Sequence, residues 1–401
     1  MRTTVVVLGD LGRSPRMQYH AAALAARGED VDLVGLEGTP VAEALARHPR
    51  VTVHTLHDGD TRGPEHRRGF VARSAWRAVL QAWRLCRALL GVPRPNTILV
   101  QSPPAVPTLA VAWLVSRLRG ARLVVDWHNL GHTVLAVKLG PTHRAVASLQ
   151  RMERRWGRRA DAHLAVSGAL AAWLQREWGI TATVLYDRPA APFVPVPDER
   201  WETVRRALHA QLGLGDARVP LVVSPTSWSL DEDFDLLLEA VERAERRLAD
   251  RGFAPSPALA VVVTGRGPLR EAFEQRLARR TLARVVVRTV WLEAADYPVL
   301  VGRADLGLCL HQSSSGLDLP MKVSDFMGAG VPVAALDYAP VLGEVLRHGE
   351  EGLLFRDPGG LARLLVGLVT GEGEDHVALV RSRAWLAAHP VPRWEHEYPG
   401  G

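Results

Sequence analysis

What most constrains this 401-residue chain is a rhythm, run twice, of short β-branched apolar stretches separated by longer segments of helical periodicity. Residues 4–8, 31–36, 51–56, 97–101, 122–125, 163–166 and 183–185 read as strands. The rhythm breaks at a stretch carrying Pro189, Pro192, Pro195 and Pro197, then resumes at 221–224, 259–264, 285–290, 306–310 and 331–336. These runs are continuously apolar, as expected of parallel strands covered by helices on both faces. The expectation is therefore an α/β chain of two Rossmann-like units, which the length accommodates at roughly 150 residues per domain. The predicted division is 1–187, a stiff linker at 188–201, a second domain at 202–375 and a closing segment at 376–401 that returns toward the first domain. Open parallel sheets bind ligands beyond the carboxyl ends of their strands, so function is expected in those loops, facing one another across a cleft.

Composition removes several classes. With 47% hydrophobic and 23% charged residues, the chain is neither disordered nor fibrous. Only Cys86 and Cys309 are present, which leaves no disulfide framework or cysteine-built zinc site and fits a reducing cytosol. The apolar start is stopped by Asp10, and the apolar stretch near 105–115 is broken by Pro107 and ended by Arg117. Neither approaches the roughly 20 residues needed to span a bilayer, so no targeting or spanning segment is expected. A net charge of +6 permits phosphates or anionic lipid as partners without demanding either.

Five loops carry candidate chemistry. The first, Gly9-Asp10-Leu11-Gly12-Arg13-Ser14-Pro15-Arg16, combines uncovered backbone, a helix start with Pro15 and two arginines, a place for an anion or simply a tight turn. Its Gly-x-x-Gly is not the dinucleotide fingerprint, which argues against NAD. The second, Asp126-Trp-His128-Asn-Leu-Gly-His132, gathers a carboxylate and two imidazoles suited to taking a proton from a hydroxyl near neutral pH. Capping by Asp126 and packing by the histidines is the alternative. In the third, Asp231-Glu232-Asp233 has the form of a metal-holding Asp-x-Asp, but acidic residues in a first helical turn are favoured by the dipole alone. The fourth, Thr264-Gly-Arg266-Gly267-Pro-Leu, suits a phosphate and close approach of a flat ring.

The fifth, residues 311–332, is the strongest. A serine-rich loop with Ser315 and Gly316 precedes Pro320, whose place at a helix start leaves the amides of Met321 and Lys322 free for phosphate oxygens. Lys322 and Asp325 are spaced i, i+3 and share a helix face, a cation for a diphosphate beside a carboxylate for ribose hydroxyls. A solvated ion pair is the plain alternative.

Taken together, Gly-Asp-Leu-Gly-Arg-Ser-Pro-Arg-Met-Gln-Tyr-His (9–20), Asp-Trp-His-Asn (126–129), Tyr186-Asp187-Arg188-Pro189, Ser-Trp-x-x-Asp-Glu-Asp-Phe (227–234), Gly-Arg-Gly-Pro-Leu-Arg (265–270) and Ser-Ser-Gly-Leu-Asp-Leu-Pro-Met-Lys-Val (314–323) resemble the chitobiosyldiphosphodolichol β-mannosyltransferase family. The likeness runs from residue 3 to about residue 357, and Trp394-Glu395 is similar to the family's closing helix. The resemblance implies a GT-B glycosyltransferase moving mannose from GDP-mannose, with inversion, onto a glycan carried by a lipid diphosphate. It implies the 9–16 and 126–132 loops on the acceptor side, with Gly9, Asp10, Gly12, Arg13, Arg16 and His132; the base expected from the residues themselves is His128, with Asp126 next. Ser227, Trp228, Arg266, Gly267, Ser315, Gly316, Leu317, Lys322 and Asp325 would hold the donor. No tightly bound metal is implied, although Mg²⁺ from solution could assist, and no nucleic acid partner is expected.

The family's eukaryotic members begin with a membrane anchor, which is not visible here, and the Arg- and Ala-rich usage looks prokaryotic. The acceptor could then be a polyprenyl-linked sugar other than chitobiose. Other readings of the same fold are a transferase with a different donor, a nucleotide-sugar epimerase, or a non-catalytic binding module. The segment 69–90, read as a helix, places Arg73, Arg77, Arg84 and Arg87 opposite Val79, Leu85, Cys86 and Leu89, with Trp76 and Trp83 at the boundary. That pattern suits either a helix lying on an anionic membrane or one packed on the sheet. The location expected is cytoplasmic, peripheral on the cytoplasmic membrane face.

Overall fold

The computed structural model describes residues 1–57, 70–214, 218–293 and 295–394. The chain divides into two compact units, Met1–Tyr186 and Asp187–His396. Among the described residues the first unit runs β1 (Arg2–Asp10), α1 (Pro15–Ala26), β2 (Asp30–Leu36), α2 (Glu43–Ala46), β3 (Val51–Leu56), α3 (Phe70–Gly91), β4 (Thr97–Ser102), α4 (Thr108–Arg119), β5 (Arg122–Trp127), α5 (Gly131–Leu139), α6 (Arg144–Gly157), β6 (Ala162–Ala165), α7 (Gly168–Trp173) and β7 (Thr183–Val184). The second continues with α8 (Asp198–Leu212), β8 (Leu221–Pro225), α9 (Phe234–Asp250), β9 (Leu259–Thr264), α10 (Arg270–Leu277), β10 (Val285–Val290), α11 (Tyr297–Val301), β11 (Leu306–Cys309), α12 (Met321–Gly328), β12 (Val333–Leu336), β13 (Gly352–Phe355), α13 (Pro358–Thr370) and α14 (Glu374–Ala388). Every strand expected from sequence is present; β13 was not foreseen, because Gly-Leu-Leu-Phe is too short to separate from a buried helical turn.

All strand pairings are parallel. The first sheet has the order β3-β2-β1-β4-β5-β6-β7 and the second β10-β9-β8-β11-β12-β13. Each order reverses once, between β1 and β4 and between β8 and β11, and the crevice at such a reversal is where these folds bind ligands. Continuous apolar strands fill both interiors: Val5, Val7 and Leu33 lie in the first core. Val222, Val261, Val263 and Leu308 lie in the second, against Leu237, Val241 and Leu365 from α9 and α13.

The proline-rich stretch belongs to the second unit, where Pro189 and the Phe193 carbonyl pack against Gly328. Of the closing segment, α14 packs on α13 and β13, and Arg393 donates to the carbonyls of Ala190, Phe193 and Gly328, all within the second unit. Glu395 onward lies outside the described residues.

Candidate active site

In the first unit, α1 follows the β1 loop and carries Arg16 and His20 on its inward side, while β5 ends in Asp126 and Trp127. Asp126 is wholly buried. The Arg16 guanidinium meets it with two bonds, Nε to Oδ2 at 2.8 Å and Nη2 to Oδ1 at 3.0 Å. His20 Nε2 lies 2.8 Å and His128 Nε2 2.9 Å from the same Oδ2. Burial alone would raise the Asp126 carboxyl; the charges of Arg16, His128 and His20 outweigh it and hold the group well below the usual carboxylate range. Asp126 is therefore held as an anion that accepts from Arg16, His20 and His128. It fixes the Nε2–H form of His128, leaving Nδ1 as the accepting nitrogen of a side chain that is 21% exposed. Burial also lowers the His20 imidazole, against the pull of Asp126.

Other acceptor-side expectations resolve differently. Arg16 is not open to an anion; it is buried and committed to Asp126. His132 is buried too, with Nδ1 2.7 Å from Glu153, and Glu153 also accepts from the amides of Gly131 and His132 at the start of α5. That histidine anchors a helix end. Asp10 holds the loop before α2, accepting from the Gly12 amide at 3.0 Å and from the Thr39 hydroxyl at 2.9 Å. Gly12 is required by that closure, since a Cβ there would lie 2.3 Å from the Thr39 carbonyl oxygen. Gly9 has no such restriction, and Arg13 is exposed.

In the second unit, the loops after β8 and β11 meet at the reversal of strand order. Lys322, in the first turn of α12, reaches across so that Nζ donates to the Pro225 carbonyl at 2.6 Å and to Glu232. Burial would lower the Lys322 ammonium; the Glu232 carboxylate against it prevails and keeps it above its ordinary value, hence charged. The other Glu232 oxygen, Oε2, is buried without a partner. Asp325 does not pair with Lys322. Its carboxyl has no hydrogen-bond partner among the described residues, and burial, reinforced by Asp187, pushes it up to about 8.

The acidic triplet does not converge on a metal. Asp233 caps α9 through the Leu236 amide at 2.9 Å, Asp231 faces His311 Nδ1 at 3.3 Å, and Glu232 takes Lys322. Among the described residues no group of three or more His, Cys, Asp or Glu is placed to hold a metal ion. His311 is a residue to which the sequence reading gave no role. It sits between Asp231 and Asp318, with Nε2 3.2 Å from Asp318. Burial alone would lower its imidazole, but hydrogen bonds to the two carboxylates outweigh that and push it up to about 9, a second cation, with Lys322, acting on Glu232. The only sequence signal was its place immediately after a strand at the switch point.

The serine loop is folded by its own hydroxyls. Ser313 Oγ donates to Asp318 and accepts from the Gly316 amide at 2.8 Å, while Ser315 Oγ accepts from the Leu317 amide at 3.2 Å. Gly316 adopts φ +71°, the left-handed region. Ser315, Gly316 and Leu317 remain half-buried at its rim.

Trp228, expected at the donor, is a core residue. It is wholly buried, stacks on Phe234 at 4.7 Å and donates Nε1–H to the Gly265 carbonyl at 3.1 Å. Its φ of +53° is strained for a residue with a Cβ, and the packing holds it there. Gly265 and Gly267 serve the same seam: a Cβ at either would lie 1.8 Å from the carbonyl oxygens of Thr226 and Ser227 respectively. Ser227 stays exposed above the seam, and Arg266 lies 3.6 Å over the ring of Trp291.

A pair of parallel-sheet Rossmann-like units, each with charged side chains at its switch point, is the architecture of the GT-B glycosyltransferases. Residues 12–186 match the Glycosyl transferase 4-like domain and residues 220–370 the Glycosyl transferases group 1 family. Chitobiosyldiphosphodolichol beta-mannosyltransferase of Mus musculus is 37% identical over 98% of this chain and 86% of its own length. The Homo sapiens protein of that name is 36% identical over 98% and 90%. The chain belongs to this β-mannosyltransferase family. UDP-glycosyltransferase TURAN of Arabidopsis thaliana is also similar, 40% identical over 99% of this chain and 95% of its own. Among solved structures, Anabaena Alr3699/HepE in complex with UDP-glucose superposes with a TM-score of 0.67 at 18% identity, over 96% of this chain and 94% of that one. Sucrose-phosphate synthase from Thermosynechococcus elongatus gives 0.67 at 17%, over 98% and 95%. At those identities the fold alone is shared.

Proposed function

We propose that this glycosyltransferase moves mannose from GDP-mannose onto a glycan borne by a lipid diphosphate, with inversion, working peripherally at the membrane that carries the acceptor. The observation that carries the reading is Lys322, a half-buried cation kept charged at the N-terminus of α12, where helix amides also face outward. A departing diphosphate would take the place of Glu232 on Lys322, and Arg266 would add its charge. Asp325 would accept from a ribose hydroxyl. In the first unit, His128 Nδ1 removes the acceptor proton as that oxygen attacks the anomeric carbon and the carbon–oxygen bond to the diphosphate breaks. Asp126 acts through His128 as a positioning residue. The names of the mannosyltransferase relatives support the sugar and the lipid-linked acceptor; the Arabidopsis relative is named for a UDP-linked donor, so the test compares both nucleotides.

The test incubates the purified chain with GDP-mannose, UDP-glucose or UDP-N-acetylglucosamine, with and without a short-chain polyprenyl diphosphate chitobiose. Mass spectrometry of the acceptor is the readout. A gain of one hexose from GDP-mannose alone is expected, lost in His128→Ala while donor-induced thermal stabilisation persists. Transfer from a UDP sugar would replace the donor, and conversion of a nucleotide sugar without acceptor would make the chain an epimerase.

A further inference from the structure

The segment from Phe70 to Arg159 holds fifteen of the chain's 49 Lys and Arg residues but only two of its 43 acidic residues, Asp126 and Glu153. Both of those carboxylates are wholly buried. The helices α3, α4, α6 and α5 pack side by side in that order. Their outer surface therefore carries cations and, among the described residues, no exposed carboxylate of its own. The second unit is built otherwise: α8 carries Glu202–Arg205, α9 carries Glu239–Arg243 and α10 carries Arg270–Glu274 as neutralising pairs one turn apart. Lack of such pairs on α3 to α6 is thus a local property and does not reflect the chain's general composition.

The same layer leaves large apolar side chains in water. Of the apolar side that the sequence suggested for a membrane, Leu85 and Leu89 are buried in the protein, Cys86 is half-buried and Val79 is 60% exposed. Exposed with Val79 are Trp83 on α3 at 57%, Leu118 on α4 at 67%, and Val137 on α5 at 57%. Arg87 lies 5.7 Å over the Trp83 ring, and Arg159 lies 4.5 Å over that of Trp156. The side chains of Arg73, Trp76 and Arg77 lie outside the described residues. Among those described, no helix is long and apolar enough to cross a membrane.

We propose that the outer face of α3–α6 docks flat on an anionic lipid bilayer, with Trp83, Leu118 and Val137 entering the headgroup boundary and the surrounding arginines meeting lipid phosphates. Cations, of which Arg117 alone among the described ones meets a carboxylate, that of Asp161 beyond α6, are interspersed with exposed aliphatic and indole groups and match that surface on both counts: charge draws the layer to anionic headgroups, and the apolar tips gain by leaving water. A polyanion such as nucleic acid would satisfy the arginines and leave Leu118 and Val137 in water. The inference extends the peripheral-membrane part of the reading above to a particular face and lipid charge.

Co-sedimentation of the full chain with phosphatidylcholine vesicles, with and without about 40% phosphatidylglycerol, tests it without donor or acceptor present. Binding at least tenfold tighter to the anionic vesicles is expected, weakening severalfold as salt rises from 0.1 to 0.5 M. Leu118→Glu and Trp83→Glu should each lower it tenfold or more with an unchanged melting temperature. Val377→Glu, at a 67% exposed position on α14, should leave it intact. Equal binding to both vesicle types, no binding by the parent chain, or full binding by Leu118→Glu would overturn the proposal, as would tight heparin binding without vesicle binding. Transfer to a short-chain acceptor in detergent needs no bilayer, so it reports separately on the catalytic reading.

Discussion

Asp325→Asn tests the electrostatics of the second unit most directly. In the unfolded chain this carboxyl ionises near pH 4. In the folded protein, burial and the neighbouring Asp187 push it up to about 8. Below about pH 4 both states are protonated and the position imposes no penalty. As pH rises from there toward 8 the unfolded state ionises and the folded state does not, so stability falls by about 1.4 kcal/mol per pH unit and levels off above the folded value. The penalty reaches about 1.5 kcal/mol at pH 5 and about 4 kcal/mol at pH 7. Asparagine keeps the shape and cannot ionise, so the variant should exceed the parent by those amounts. For a unit of this size that corresponds to a melting temperature higher by on the order of 10 °C at pH 7, narrowing to a few degrees at pH 5. Scanning calorimetry of both proteins at pH 5, 6, 7 and 8 is the assay. Melting curves that run parallel in pH, or a variant less stable than the parent at pH 7, would refute the reasoning. Under the donor reading the same stabilised variant transfers sugar poorly, because a strained carboxyl is retained for what it binds.

Lys322→Ala strands Glu232 in the interior and should cost about 3–5 kcal/mol, whereas Lys322→Ala with Glu232→Ala should recover most of that loss; urea unfolding midpoints distinguish the two. Asp126→Ala leaves the Arg16 charge buried and should destabilise by a similar about 3–5 kcal/mol, while His128→Ala, removing a partly exposed ring, should stay within about 1 kcal/mol, so equal costs for both would contradict the clamp. Gly267→Ala, whose Cβ would lie 1.8 Å from the Ser227 carbonyl oxygen, should lower the melting temperature sharply, and Gly343→Ala, which has nothing within 4 Å, should leave it within about 2 °C.

Strand content and fold class were legible because β-branched continuity is a local property that parallel burial imposes on every strand. The positions of the charged groups were legible as well: Asp126 closes β5, His128 follows it and Lys322 opens the helix after β11, all in the segments beyond the predicted strands. Their partners were not. Spacing of i, i+3 suggested that Lys322 and Asp325 act together, yet Lys322 reaches Glu232, ninety residues earlier, and Asp325 lies near Asp187. Motif membership likewise suggested a ligand role for Trp228, which stacking on Phe234 and the bond to Gly265 make a core residue.

The amino-acid order alone settled that two parallel α/β units form, where their switch-point loops fall and which ionisable groups those loops hold. Folding decided which of those groups remain open to a substrate. Arg16, His132 and Trp228 carry the same chemistry in the sequence as their neighbours, but long-range contacts bury them, whereas His128 keeps one nitrogen free and His311 becomes a cation between two carboxylates. The reason is physical: burial and charge pairing depend on distances between residues far apart in the chain, and those distances exist only once the sheet has brought the loops together.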